Sequence, residues 1–467
     1  MTRRSCAFVL ALTVVAAAPV PAAGEQHPPE NVVLLSHLDR GEGYSGNWGY
    51  TAPDGTELAI SGTVSGTTFI DATAPAAAVE VAFIPGPTSI WREMSTYGHY
   101  CYIVTEGDGA ALQVVDLVDP LAPVLAITLN PPDLPFSRAH EIKIDPATGR
   151  CYVAGTRNGA TYTGLVILDL AVDPLHPVHI GSWPESGAST SNYVHDLSIL
   201  DGKAYCAAIY AGQVVVLDVS LAGTPPVLGQ WTYPSAFTHN TWPSSDGSFL
   251  VTTDENLGGH LRMWDVRNLN LIAQTGEWIS PTGALVHNAY LRGTTCFMAH
   301  YQDGLRVVDA SDPYDLRPVG WYDTTPADGG TTNGAWGCYC FAADSTIAYI
   351  SDRDTGTYIL RYVPPVTVVD PGLVAAAASG VESAPNPFRA ATRIRFETRA
   401  AGPVDLRIFD ATGRLVRLLA DRTMGSGRQE VVWDGRDETR RRVARGVYYY
   451  RLSAPGVDAG GRVVVAP

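Results

Sequence analysis

Four times the chain sets a histidine directly before a carboxylate or an amide: His140-Glu141, His195-Asp196, His239-Asn240 and His287-Asn288. A neutral imidazole offers a nitrogen lone pair and changes charge near neutral pH, and carboxylates add oxygen donors. Together these groups suit a transition metal such as zinc, copper, iron or manganese, and an open coordination position would permit catalysis. The competing reading is that repeated polar residues simply bond to backbone and water around a wet channel. The usual catalytic signatures are absent: the chain has no Gly-x-Ser-x-Gly, no His-Glu-x-x-His and no Walker A motif. Gly41-Glu42-Gly43-Tyr44-Ser45-Gly46 matches the dinucleotide fingerprint in form, but it precedes a strand rather than opening a helix, so it is a loop.

The four pairs gain meaning from the elements that carry them. Ala284 to Asp323 reads as four short strands rich in β-branched and aromatic residues, separated by Gly, Asp and Pro. The third strand recurs along the chain, ending at Asp71, Asp116, Asp169, Asp218, Asp265, Asp309 and Arg361, at intervals of 44 to 53 residues. Seven copies of a four-stranded unit predict an all-β chain built on a seven-bladed β-propeller over residues 31–363. The aspartates that end these strands read as turn-capping residues. No fourth strand follows Arg361-Tyr362, whereas Asn31 to His37 reads as an unattached strand, so 31–37 is expected to complete the last blade and remove its open edge.

First strands line a propeller's channel, so the four histidines should gather at one mouth. Arg92-Glu93 and Trp336-Gly337 hold the same place in the second and seventh blades. In an antiparallel hairpin the end of the second strand returns beside the start of the first. Regular pairing puts Glu106 near Arg92, Asp254 near His239, His300 near His287 and Asp352 near Trp336. The candidate metal ligands are therefore His140, His195, His239, His287, His300, Glu106, Asp254 and Asp352.

The N-terminus has the pattern of a signal peptide over residues 1–23: Arg3-Arg4, an apolar run from Cys6 to Val20, and small residues at Ala22-Ala23-Gly24. No later stretch is apolar for long enough to cross a bilayer as a helix. The formal net charge is -15, and up to residue 379 acidic residues outnumber basic ones, which argues against nucleic acid as a partner. Of the other six cysteines, 101, 151 and 296 share one repeat position and 206 lies two residues later on the same face, in blades too far apart to bridge, while 338 and 340 are two apart in one strand, so most read as buried small hydrophobes. Residues 364–383 read as a linker. From 384 to 467 the chain becomes Arg-rich with period-two alternation, the pattern of a small β-sandwich. Arg440-Arg441-Arg442 reads as a solvated hairpin turn.

Trp48-Gly49-Tyr50, Ser89-Ile90-Trp91-Arg92-Glu93, the Val-Val-Asp third strands and Gly334-Ala335-Trp336-Gly337 with Ser351-Asp352 are similar to the secreted LVIVD-repeat proteins of the choice-of-anchor B family. That resemblance covers 31–363 and implies an exported propeller joined to a C-terminal sorting module. Asn386-Pro387-Phe388, Asp410 to Arg414, Val432 to Asp437 and Gly446-Val447-Tyr448 resemble the Ig-like domain of the flagellar hook-capping protein, FlgD. Similar tails address exported proteins to the type IX secretion route. The expected function is an extracellular, cell-surface or periplasmic module that binds a protein or small molecule, with the tail engaging secretion or envelope machinery. A metal-dependent oxidoreductase or hydrolase working at the channel mouth is the alternative.

Overall fold

The structure is a computed structural model; residues 28–325, 332–364, 381–410, 415–455 and 457–466 are described. The signal-peptide reading at 1–23 and most of the linker read at 364–383 lie outside those residues. The chain divides into two compact units, Met1–Pro365 and Val366–Pro467. Among the described residues all regular structure is β apart from three short 3₁₀ turns, and no helix is long and apolar enough to cross a membrane.

The first unit is a seven-bladed propeller of seven four-stranded antiparallel sheets. Blades I to VI take consecutive strands from 44–85, 92–129, 141–183, 196–232, 238–279 and 289–322. Blade VII combines 335–362 with Val32–Leu38, which pairs antiparallel with Gly356–Tyr362. Each first strand lies against the first strands of its two neighbours, and that of blade VII lies against that of blade I, which closes the inner ring. A separate apolar cluster fills each gap between blades. Val104, Val114, Ile142 and Val153, for example, join blades II and III, while Ala154, Ile167, Leu197 and Cys206 join III and IV. The sequence alternation explains this arrangement, since opposite faces of every blade are buried against different neighbours.

Two repeated backbone devices shape the blades. At the outer edge, a bulge falls just before the terminal Asp of the third strand, between Phe69 and Ile70, Val114 and Val115, and Val216 and Leu217, among others. The aspartate then accepts the N–H two residues on: Asp71 from Thr73 at 2.9 Å, Asp218 from Ser220 at 3.0 Å, Asp309 from Ser311 at 2.9 Å. The bulge adds twist and the side chain fixes the turn.

The second device lies at the start of the first strands. His140 N–H donates to the Ala154 carbonyl while Glu141 is already the register partner of Ala154. His195 and Asp196 stand in the same relation to Ala207, and His287 and Asn288 to Ala299. The register slips by one between Thr238 and Asn240, at His239, and between Ala335 and Gly337, at Trp336. Two residues thus face one, re-aiming the first of each pair. Blade II pairs Arg92 with Thr105 and continues without such a slip.

The six cysteines from 101 onward are buried free thiols. The second unit is a two-sheet sandwich. Glu382–Ala384, Thr392–Thr398 and Gly427–Trp433 form one sheet, and Leu415–Met424, Gly402–Phe409, Gly446–Ala454 and Val457–Val465 form the other. Residues 392–398 alternate buried and exposed, and Phe388, Ile394, Phe396, Trp433 and Leu452 fill the core.

Candidate functional site

The bulges gather five rings into one arc at the channel mouth. Ring centroids run His140–His195 4.2 Å, His195–His239 4.3 Å, His239–His287 4.2 Å and His287–Trp336 4.4 Å, with interplanar angles of 43° to 52°. The arc spans blades III to VII. His239 and His287 are buried, whereas His140 and His195 are partly exposed. Arg92, at the matching position of blade II, leaves the arc. Its guanidinium is buried and donates to the carbonyls of Thr63 and Pro87. In blade I the matching residue is Gly46, and a Cβ there would lie 1.9 Å from a carboxylate oxygen of Glu93.

Electrostatically the imidazoles divide into two kinds. Burial works against a charge on His140, but its Nδ1–H lies 2.6 Å from Glu106 Oε1, and that bond and charge raise the imidazole's pKa above its ordinary value. Burial likewise disfavours the Glu106 carboxylate, and His140 outweighs it to hold the acid below its usual range. The contact thus favours the imidazolium–carboxylate form of the pair. Burial pushes His195 and His287 well down, reinforced by neighbouring imidazoles, and lowers His239 as well. These three are neutral at pH 7 and keep a lone pair available.

Beside His239 and His287 lies Glu255, and one donor atom from each of the three falls within 4.8 Å of the other two. His239 Nε2 is 3.6 Å from Glu255 Oε2. The other oxygen, Oε1, accepts the Tyr301 hydroxyl. His287 Nδ1–H donates to the Trp336 carbonyl at 2.7 Å, which fixes the tautomer and leaves Nε2 as the lone-pair nitrogen. Tyr301 also packs edge-on against His287 at 5.2 Å.

Directly below the arc sits a charged layer made by the second residue of each pair. Lys143 Nζ lies 3.0 Å from Glu141 Oε1 and 3.9 Å from Asp196 Oδ1, with all three nearly fully buried. Asn240 donates to Asp196 at 2.8 Å. Burial works to lower the Lys143 pKa, but the charges of Glu141, Asp196 and Glu93 outweigh it and raise it above its ordinary value. Burial raises Glu141, partly countered by Lys143, and raises Glu93 further, with the Glu141 charge adding to the effect.

Of the eight candidates, the structure brings His140, His195, His239, His287 and Glu106 together at the mouth, and places three elsewhere. Glu106 contacts His140 of the following blade rather than Arg92. Asp254 accepts from Tyr233, the Phe237 N–H and Arg262, and Asp352 accepts from Thr324, Thr325 and the Asp354 N–H. Both carboxylates tie down loops. His300 is fully buried against the edge of Trp278 and near Asp303, which also pairs with Arg306. The expectation of regular pairing is corrected here, because the one-residue slip at His239 and Trp336 moves the facing residue out of step. The carboxylate that reaches His239 is Glu255, one residue beyond the one regular pairing selects. Its only sequence signal is that adjacency to Asp254.

A cluster of tyrosines flanks the arc beside His195. Tyr193 lies 6.3 Å from His195, 5.5 Å from Tyr162 and 5.1 Å from Tyr210, and Tyr210 is exposed.

The FlgD Ig-like domain family matches residues 384–457, within the second unit. Among curated proteins no sequence matches the chain.

Proposed function

We propose that this protein is an exported, surface-associated binding module. The mouth of its propeller channel takes a partner or ligand, and the FlgD Ig-like domain serves sorting or attachment. The observation that carries the reading is the arc of five rings at 4.2–4.4 Å spacing, continued outward through Tyr193 to the exposed Tyr210. Rigid aromatic groups at a concave opening supply contact area at little entropic cost, and such residues dominate binding hot spots. The likeness of 31–363 to LVIVD-repeat proteins and the signal-peptide pattern at 1–23 support export. The Ig-like match supports an envelope-related setting. A metal-dependent enzyme is the second reading, favoured by the His239, Glu255 and His287 grouping.

The test uses labelled mature protein added to producing cells stripped of their own copy. Binding that falls at least about tenfold in a Tyr210→Ala, His195→Ala variant, but not in Leu221→Ser on a distant outer turn, supports the mouth as the contact. Binding that survives the mouth variant and vanishes only when 384–467 is removed agrees with attachment through the tail and overturns the mouth as the binding surface.

A further inference from the structure

We propose that His239, Glu255 and His287 form a binding site for one divalent first-row transition metal ion of the zinc or iron(II) type. The site does not depend on whether the mouth also binds a partner.

Two imidazoles and one carboxylate are a donor set that such ions take, with remaining positions left to water or a ligand. Metal bonds of about 2.0–2.1 Å place neighbouring donor atoms roughly 3–3.4 Å apart. His239 Nε2 and Glu255 Oε2 lie at 3.6 Å, too far for a hydrogen bond and within a few tenths of an ångström of that separation. Two of the three ligands have the outer partner expected of a metal site. His287 donates its far N–H to the Trp336 carbonyl, and the spare oxygen of Glu255 takes the Tyr301 hydroxyl. Leu285, Tyr301 and Trp336 form a buried apolar cluster, and Tyr301 and Trp336 pack against the His287 ring. The inner strands carrying His239 and His287 belong to the closed ring of first strands, which holds the donors in place without a metal.

Two of the other imidazoles are committed to partners of their own. His140 is engaged by Glu106, and His300 sits against Trp278 and Asp303, away from the triad. They serve as internal controls.

The experiment strips the purified mature chain with a chelator and titrates it with Co(II), following visible absorption, and with Zn(II) by calorimetry. The expected result is one equivalent of Co(II) bound with a ligand-field spectrum of nitrogen and oxygen donors, displaced by Zn(II). Glu255→Gln and His287→Gln each weaken Zn(II) at least about 100-fold, and Tyr301→Phe, which removes only a positioning contact, weakens it about tenfold. His140→Gln and His300→Gln leave it within about threefold. Circular dichroism confirms folding, and because Glu255 is partly exposed, its variant still decides the matter if His287→Gln fails to fold. Absence of stoichiometric Co(II) and Zn(II) binding overturns the proposal. So does binding that survives Glu255→Gln, or that His140→Gln abolishes equally. Loss of metal in Glu255→Gln with cell binding retained separates this site from the partner-binding reading.

Discussion

Replacing Lys143 with methionine tests the electrostatics of the channel most directly. The substitution keeps the chain length and removes the charge. At an effective dielectric of about 20, Lys143 gains roughly 5 kcal/mol from Glu141 at 3.0 Å and about 4 kcal/mol from Asp196 at 3.9 Å, most of it cancelled by desolvation. Removing the ammonium does not remove the desolvation of its partners. Breaking a buried ion pair in this way costs about 3–5 kcal/mol.

The pH dependence gives the prediction its edge. Glu141 already has a folded-state pKa raised by burial, despite Lys143, so folding favours its protonated form and stability rises as pH falls toward the unfolded value. Without Lys143 the upward shift grows, and each extra proton taken up offsets about 1.4 kcal/mol per pH unit. Lys143→Met should therefore cost about 4 kcal/mol at pH 8 and about 2–3 kcal/mol at pH 5, where the wild-type Glu141 is protonated as well. Guanidinium unfolding followed by tryptophan fluorescence reads this, since Trp433 is the single tryptophan outside the propeller among the ten. Lys143→Met with Glu141→Gln should recover at least about 2 kcal/mol at pH 8 relative to additivity. A cost below about 1 kcal/mol at pH 8, or one equal at both pH values, would refute the assignment of Lys143 as the counter-ion of this layer.

Other consequences follow from the same geometry. His140 has its pKa raised by Glu106, so the pair's contribution is present in full below about pH 6.5 and fades as pH rises through the folded value. His140→Gln should cost about 1–2 kcal/mol at pH 6 and almost nothing at pH 9, and ¹⁵N-histidine spectra should show this ring titrating above an ordinary histidine. Asp309→Ala removes the acceptor of the Ser311 N–H at 2.9 Å and should destabilise the propeller by about 1 kcal/mol in denaturant melts. Deleting residues 24–38 exposes the edge of Gly356–Tyr362, and size-exclusion chromatography should show association in place of a monodisperse peak.

The repeat was legible because its marks are local. Paired β-branched residues followed by Asp make a strand, a bulge and a side-chain-capped turn, and all three come from neighbouring residues, as at Val307-Val308-Asp309. The histidine arc was legible for the same reason, since His140, His195, His239 and His287 each precede their first strand's Asp, Glu or Asn at one repeat position. What the residues did not disclose was the backbone event between them. A bulge at a histidine has no residue signature, because any L-residue can occupy it and its occurrence is set by how the inner strands crowd one another. Regular pairing therefore selected Asp254, His300 and Asp352, which hold loops or fill the interior, and passed over Glu255. Blade II makes the point in reverse. Arg92 stands at the same repeat position, but its strand pairs with Thr105 without a slip, and its side chain turns to the carbonyls of Thr63 and Pro87. The mouth is thus built where a ring-bearing repeat position and a bulge coincide: the arc stops at blade II, where the bulge is missing, and at blade I, where the register shifts but the matching residue is Gly46.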